Sequence, residues 1–135
     1  MIRDIRKVFN EKDHFGDFLG YHLEKIEEGY AETTLTLKEK HLSPAARAHG
    51  GVVASLIDFA MGAASCSTLK ENELLATIEM KVNFLEVLMV GDAIRANASV
   101  LFRGKSTITT EAKVFEGTRL VAVGLGTFKV YPVKP

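Results

Sequence analysis

The chain has one cysteine, three prolines and no tryptophan among its 135 residues. A lone Cys66 cannot close an internal disulfide, and no Cys/His cluster offers the spacing of a zinc site. Its place in an apolar stretch fits a packing thiol. Neither sign of charge prevails, since 17 Lys and Arg stand against 17 Asp and Glu. Without a basic stripe there is no electrostatic footprint for nucleic acid. A net charge near zero also does little to keep copies of the chain apart. The opening run Met1 to Phe9 alternates charged with apolar residues and lacks the continuous apolar centre of a secretory signal. A cytoplasmic protein with no metal is the expectation.

What is present suits a globular domain. Hydrophobic residues make up 47% and charged residues 25%, ordinary values for a packed core under a solvated surface. The length fits one domain over residues 1–135. Ile2, Ile5, Val8 and Phe9 recur at helical spacing, so a short amphipathic helix is expected within an N-terminal segment, 1–19, ahead of a core over 20–131. Phe15, Phe18 and Leu19 precede the first strand, where they read equally as a cap over an apolar pocket or as core.

Alternation governs most of the remaining chain. Two strands meet near Glu28-Gly29; in the second, Ala31, Thr33, Leu35 and Leu37 face one way while Glu32, Thr34 and Thr36 face the other. A loop from Lys38 to Ala48 holds Ser43-Pro44. Residues 51–69 are long and apolar enough to raise the question of a membrane span. Asp58 near their centre, the many small residues and the strand patterns beyond argue for a buried helix instead. Ile78, Met80, Val82 and Phe84 then alternate with Thr77, Glu79, Lys81 and Asn83. Ile94, Ala96, Ala98, Val100 and Phe102 form another apolar face. Arg103-Gly104-Lys105 and Glu116-Gly117-Thr118 read as hairpin turns. Leu120 to Tyr131 is apolar on both faces, which places it inside a sheet. An α+β fold is the result, in which an antiparallel sheet of about six strands wraps one long central helix. One small sheet leaves part of such a helix bare, so a second copy is expected to cover it.

The chemistry concentrates at one place. His49-Gly50-Gly51 opens the apolar helix, and Asp58 lies inside it. Helix-start glycines leave backbone N–H groups free for an incoming oxygen. Burying an ionised carboxylate without partners costs several kcal/mol, so such an acid has either a use or a waiting partner. A free N–H donor and a desolvated acid together can attack a carbonyl.

This motif, set in a strand-strand-helix-four-strand chain, resembles the hotdog-fold acyl-CoA thioesterases, and most nearly their phenylacetate-pathway (PaaI-like) group. Gly91-Asp92 and the closing run Leu120 to Gly124 add to the likeness. The resemblance implies hydrolysis of an acyl-CoA thioester to free acid and coenzyme A, with Asp58 as general base or nucleophile. It implies the Gly50 N–H as oxyanion donor and Thr77 as a hydroxyl that places water. Asp58 and Thr77 would come from one subunit and Gly50 from the other, so a homodimer or homotetramer is implied, with no cofactor beyond the coenzyme A of the substrate.

Ser43 and Ala46 depart from the resemblance, standing where relatives carry Asn and Gly. A serine hydroxyl can still donate, from a shorter reach. His49 reads either as a group orienting the substrate or as one ordering the loop. Gly51 belongs with the acyl approach, and Arg103 and Lys105 would meet coenzyme A phosphates or simply face solvent. Thr77 suits a strand whatever its role. Two further functions stay open. His41-Leu42-Ser43-Pro44 is superficially similar to the histidine loop of hotdog hydratases, and the Ser43 and Ala46 departures leave room for a non-catalytic acyl-CoA-binding module.

Overall fold

A computed structural model describes residues 13–133. The helix expected over Ile2 to Phe9 lies outside the described residues. Helix α1 (His14–Leu19) leads into β1 (His22–Glu27) and β2 (Tyr30–Thr36), followed by a 3-10 turn, Glu39–His41. The long helix α2 (Gly50–Cys66) comes next, then β3 (Glu73–Phe84), β4 (Ala93–Arg103), β5 (Thr107–Glu116) and β6 (Arg119–Pro132). All six strands join one antiparallel sheet in the order β1-β2-β4-β5-β6-β3. The architecture is the hotdog fold. As its double-sided apolarity suggested, β6 is internal, flanked by β5 and β3.

The sheet closes on α2 through side chains from both layers. Leu56, Ile57, Ala60 and Met61 are sealed on the helix, against Ile94, Ile108, Val114, Val121 and Phe128 from the strands. Each large side chain so buried contributes about 1.5–3 kcal/mol. Two glycines of β6 let the layers approach closely. A Cβ on Gly124 would stand 2.7 Å from Ile57 Cγ2, and one on Gly126 would stand 2.8 Å from Met61 Cε. The helix is not covered all round, however. Gly51, Ser55, Asp58, Gly62 and Cys66 recur at intervals of three or four residues, and each keeps some exposure.

Helix α1 is only six residues long. Asp13 caps it by accepting from the Gly16 N–H at 2.9 Å, and Gly20 ends it at φ 82°. The turn beyond it stacks the Tyr21 ring on Phe59 at 4.1 Å between centroids. Leu19 joins the core, whereas Phe15 and Phe18 stay more than half exposed.

One strand departs from the simple alternation. The β3–β6 register slips between Thr77 and Glu79, so Ile78 is an extra residue without a partner. A bulge of this kind turns the chain beyond it onto the opposite face. Met80 and Val82 pack on the core, but Ile78 is 54% exposed. Thr77, paired with the buried Phe128, is thereby turned toward the helix. The sequence pattern placed it outside with Glu79 and Lys81.

The Gly124 approach gives a direct test. Gly124→Ala should destabilise the protein by about 1–3 kcal/mol, the cost of overpacking a closed interface, read as a lower denaturant midpoint at constant slope. An unchanged midpoint would mean that α2 and β6 do not approach so closely.

Candidate active site

Asp58 faces the bare side of α2, where its Oδ1 accepts a hydrogen bond from Thr77 Oγ1 at 3.0 Å. Burial pushes the Asp58 carboxyl above its ordinary value of 3.8, and the Thr77 hydrogen bond pulls partly back. A carboxylate held this way is a stronger base than one in open water, and its proton-accepting oxygens are oriented.

The other half of the chemistry lies at the start of the same helix. His49 is the N-cap, and its Nδ1 accepts from the Gly51 N–H at 3.0 Å. An accepting Nδ1 places the ring proton of neutral His49 on Nε2. The Val52 N–H goes to the His49 carbonyl at 3.0 Å. Gly50 N–H is left with no acceptor among the described residues, at the helix end where partial positive charge gathers. It borders a cavity of about 410 Å³ lined by Ser43, Arg47, His49, Phe84 and Leu88 among others. A Cβ at Gly50 would meet the Phe84 ring at 3.3 Å, so only glycine leaves this passage its full width.

Eight residues separate Gly50 from Asp58, which is about 12 Å along an α-helix at 1.5 Å per residue. A reacting carbonyl must lie about 3 Å from both its oxyanion donor and its base. Within one chain the Gly50 N–H and the Asp58 carboxylate are therefore too far apart to reach the same carbonyl.

The remaining predicted residues fall in different places. Ser43 lines the Gly50 cavity and opens a turn, its carbonyl accepting from the Ala46 N–H at 3.0 Å. Ala46 has φ 62°, the sole described non-glycine residue in the left-handed region. That conformation costs an alanine about 1–2 kcal/mol, yet the loop keeps the path a glycine would give it. Gly51 is exposed beside His49. Arg103 and Lys105 belong to the β4–β5 turn, apart from the cavity lining, and Arg103 Nη2 is engaged with Glu73 Oε1 at 2.9 Å. His41 is 1% exposed and committed at both ring nitrogens: Nδ1 accepts from the Lys38 N–H at 2.9 Å, and Nε2 donates to the Leu19 carbonyl at 2.8 Å. It has no nitrogen left for acid–base work. Sequence reasoning passed over Arg47 and Phe84 as cavity residues. Arg47, two positions before the motif histidine, carried a faint signal; Phe84 carried none beyond its strand.

Comparison with known proteins agrees with this geometry. Residues 45–123 match the model of the Thioesterase superfamily. The chain belongs to that superfamily. A Saccharolobus solfataricus protein named as a candidate esterase is 30% identical over 131 residues, covering 96% of this chain and 85% of its own. The solved structure of conserved protein PA5202 from Pseudomonas aeruginosa superposes with a TM-score of 0.85 at 30% identity, over 89% of this chain and 95% of that one. The PaaI protein of the E. coli phenylacetic acid degradation operon shares the fold, with a TM-score of 0.87 at 24% identity over 96% and 94% of the two chains. This superfamily member thus has the hotdog fold, and thioester hydrolysis is its general chemistry. No helix among its described residues is long and apolar enough to cross a membrane.

The raised Asp58 pKa makes a stability prediction. A carboxyl whose folded pKa exceeds its unfolded one favours the folded state only when protonated, and that contribution is lost as pH rises through the folded value. At pH 7 the ionised Asp58 therefore weakens the fold. Asp58→Asn should melt higher than wild type at pH 7, with the gap closing as pH falls through the raised folded value toward 3.8 and closed below it. Equal melting temperatures at both pH values would show that Asp58 is not desolvated.

Proposed function

We propose that this protein hydrolyses acyl-CoA thioesters in a homodimer whose two active sites each draw on both copies. The 12 Å separation of Gly50 and Asp58 carries the reading, because neither half-site can act on a carbonyl alone. The Asp58 carboxylate takes a proton from a water that also touches the Thr77 hydroxyl, and the water oxygen bonds to the thioester carbon. The resulting oxyanion rests on the partner's Gly50 N–H. Collapse breaks the C–S bond, and the coenzyme A thiolate takes back the proton from Asp58. Direct attack by Asp58 through an anhydride uses the same geometry. His49 fixes which N–H is free, and the Ser43 hydroxyl lies within the same cavity to support the carbonyl or the arm.

Two surfaces favour assembly. Strand β3 is a free edge, and Phe84, Leu85, Val87, Met89 and Val90 stand about half exposed at its end and in the loop beyond. A sheet edge beside an apolar patch invites pairing. Leu101, Phe102 and Leu125 supply a second exposed apolar group for a tetramer of two dimers. The committed His41 ring disfavours a hydratase. Cytoplasmic location accords with a single cysteine and a coenzyme A substrate.

Asp58→Asn should lower kcat for acyl-CoA hydrolysis by about 10²–10⁴. Gly50→Pro deletes the oxyanion donor at a position where proline suits a helix start, and should lower kcat by about 10²–10³. The exposed Phe84 ring can move to admit it. Co-refolding the two inactive variants tests the shared site. Random pairing gives half heterodimers, each with one intact site of two, so about a quarter of wild-type activity should return. A mixture as inactive as its components would sink the shared site.

A further inference from the structure

A further cavity lies away from both Gly50 and Asp58. It measures about 620 Å³ and lies at the far side of the sheet from the β3 edge, where the end of α1, the exit from β2 and the outer face of β4 meet. Its lining includes His22, Lys38, Lys40, Arg95 and Asn97, and no carboxylate among the described residues. Of the acids on neighbouring positions, Glu32 is paired with Arg95 at 3.3 Å and Glu24 accepts from the Thr34 hydroxyl at 2.7 Å, while Glu39, between the two lysines in sequence, is outside the lining. Lys38 and Lys40 have no carboxylate partner among the described residues, and the Lys40 ammonium stands over the Phe18 ring at 5.4 Å.

We propose that this cavity binds phosphate groups, and that in the working enzyme it holds the phosphorylated nucleotide end of coenzyme A. The second half rests on the thioesterase reading above. Two flexible ammonium groups with no carboxylate partner suit a phosphate as point charges. The connection to the reaction is the loop between the two cavities. His49 N–H donates to the His41 carbonyl at 2.8 Å, so Lys40 and Gly50 lie one residue on either side of a paired backbone position. Their Cα atoms are within about 13 Å, from 3.8 Å per chain step and about 5.5 Å across such a pair. The long arm between a thioester and its nucleotide phosphates spans such a distance. Because the cavity is remote from the β3 edge, assembly through that edge leaves it open.

Binding of adenosine 3′,5′-bisphosphate is measured by titration calorimetry on wild type and on Lys38→Ala/Lys40→Ala, beside hydrolysis of an acyl-CoA and of the corresponding acyl-pantetheine, which lacks the nucleotide. The double variant should bind the bisphosphate on the order of tenfold more weakly. Its KM for acyl-CoA should rise by a similar factor, while kcat, the KM for acyl-pantetheine and the melting temperature stay unchanged. Unaltered bisphosphate binding overturns the site. Weakened binding with an unaltered acyl-CoA KM overturns its assignment to coenzyme A and leaves a separate nucleotide site. If wild type hydrolyses neither thioester yet loses bisphosphate binding in the variant, the phosphate site stands and the thioesterase reading fails.

Discussion

A helix apolar on nearly every side has to be covered by a single layer of sheet, and everything else in this protein answers to that constraint. Leu56, Ile57, Ala60 and Met61 leave α2 no stable existence outside a wrapping sheet. The sheet can wrap tightly because β6 presents Gly124 and Gly126 where α2 comes nearest. Six strands nonetheless run out before the circle closes. The residues left over, Gly51, Ser55, Asp58, Gly62 and Cys66, are small or polar. The one acid of the helix stands where the cover ends.

That position gives Asp58 its properties. It is close enough to the core to lose much of its water, and near enough to the open side to meet a substrate. Desolvation and the Thr77 hydrogen bond act in opposite directions on its proton, and burial is the larger effect. The helix start works by subtraction. His49 occupies one of the first free N–H groups, that of Gly51, and its carbonyl takes the N–H of Val52; Gly50 keeps its own. The motif histidine therefore acts on the site through the backbone it caps, and no direct contact with substrate is needed to explain it.

Much of the fold was legible because solvent enforces the two periods that sequence displays. The inward set Ala31, Thr33, Leu35 and Leu37 is buried as its alternation required, and the long apolar run is a helix with Asp58 on its open side. Alternation put Thr77 on the outer face, since an extra residue in a strand leaves the alternation on each side of it intact. Only the pairing partner, β6, reveals the slip. The short α1 falls inside the N-terminal segment read as helical, but six residues carry too little period to mark where in 1–19 it lies. His41 looked like chemistry in one dimension, and its two ring bonds became visible only once Leu19 and Lys38 were folded against it. The number of residues between Gly50 and Asp58 was countable from the sequence. Its meaning as a distance too long for one carbonyl required that the segment be helical throughout.

The bulge at Ile78 separates two properties that a regular strand ties together. Thr77 pairs with Phe128 and Glu79 with the neighbouring Thr127, so the extra residue leaves Thr77 facing Asp58 while it displays an isoleucine on the outermost strand. Deleting Ile78 would join those two pairs into one continuous register and keep Thr77 on the inner face. Among descendants of this chain, the stickiness of the sheet edge is thus free to drift, by substitution or by loss at this one position, while the Thr77–Asp58 pair is inherited unchanged.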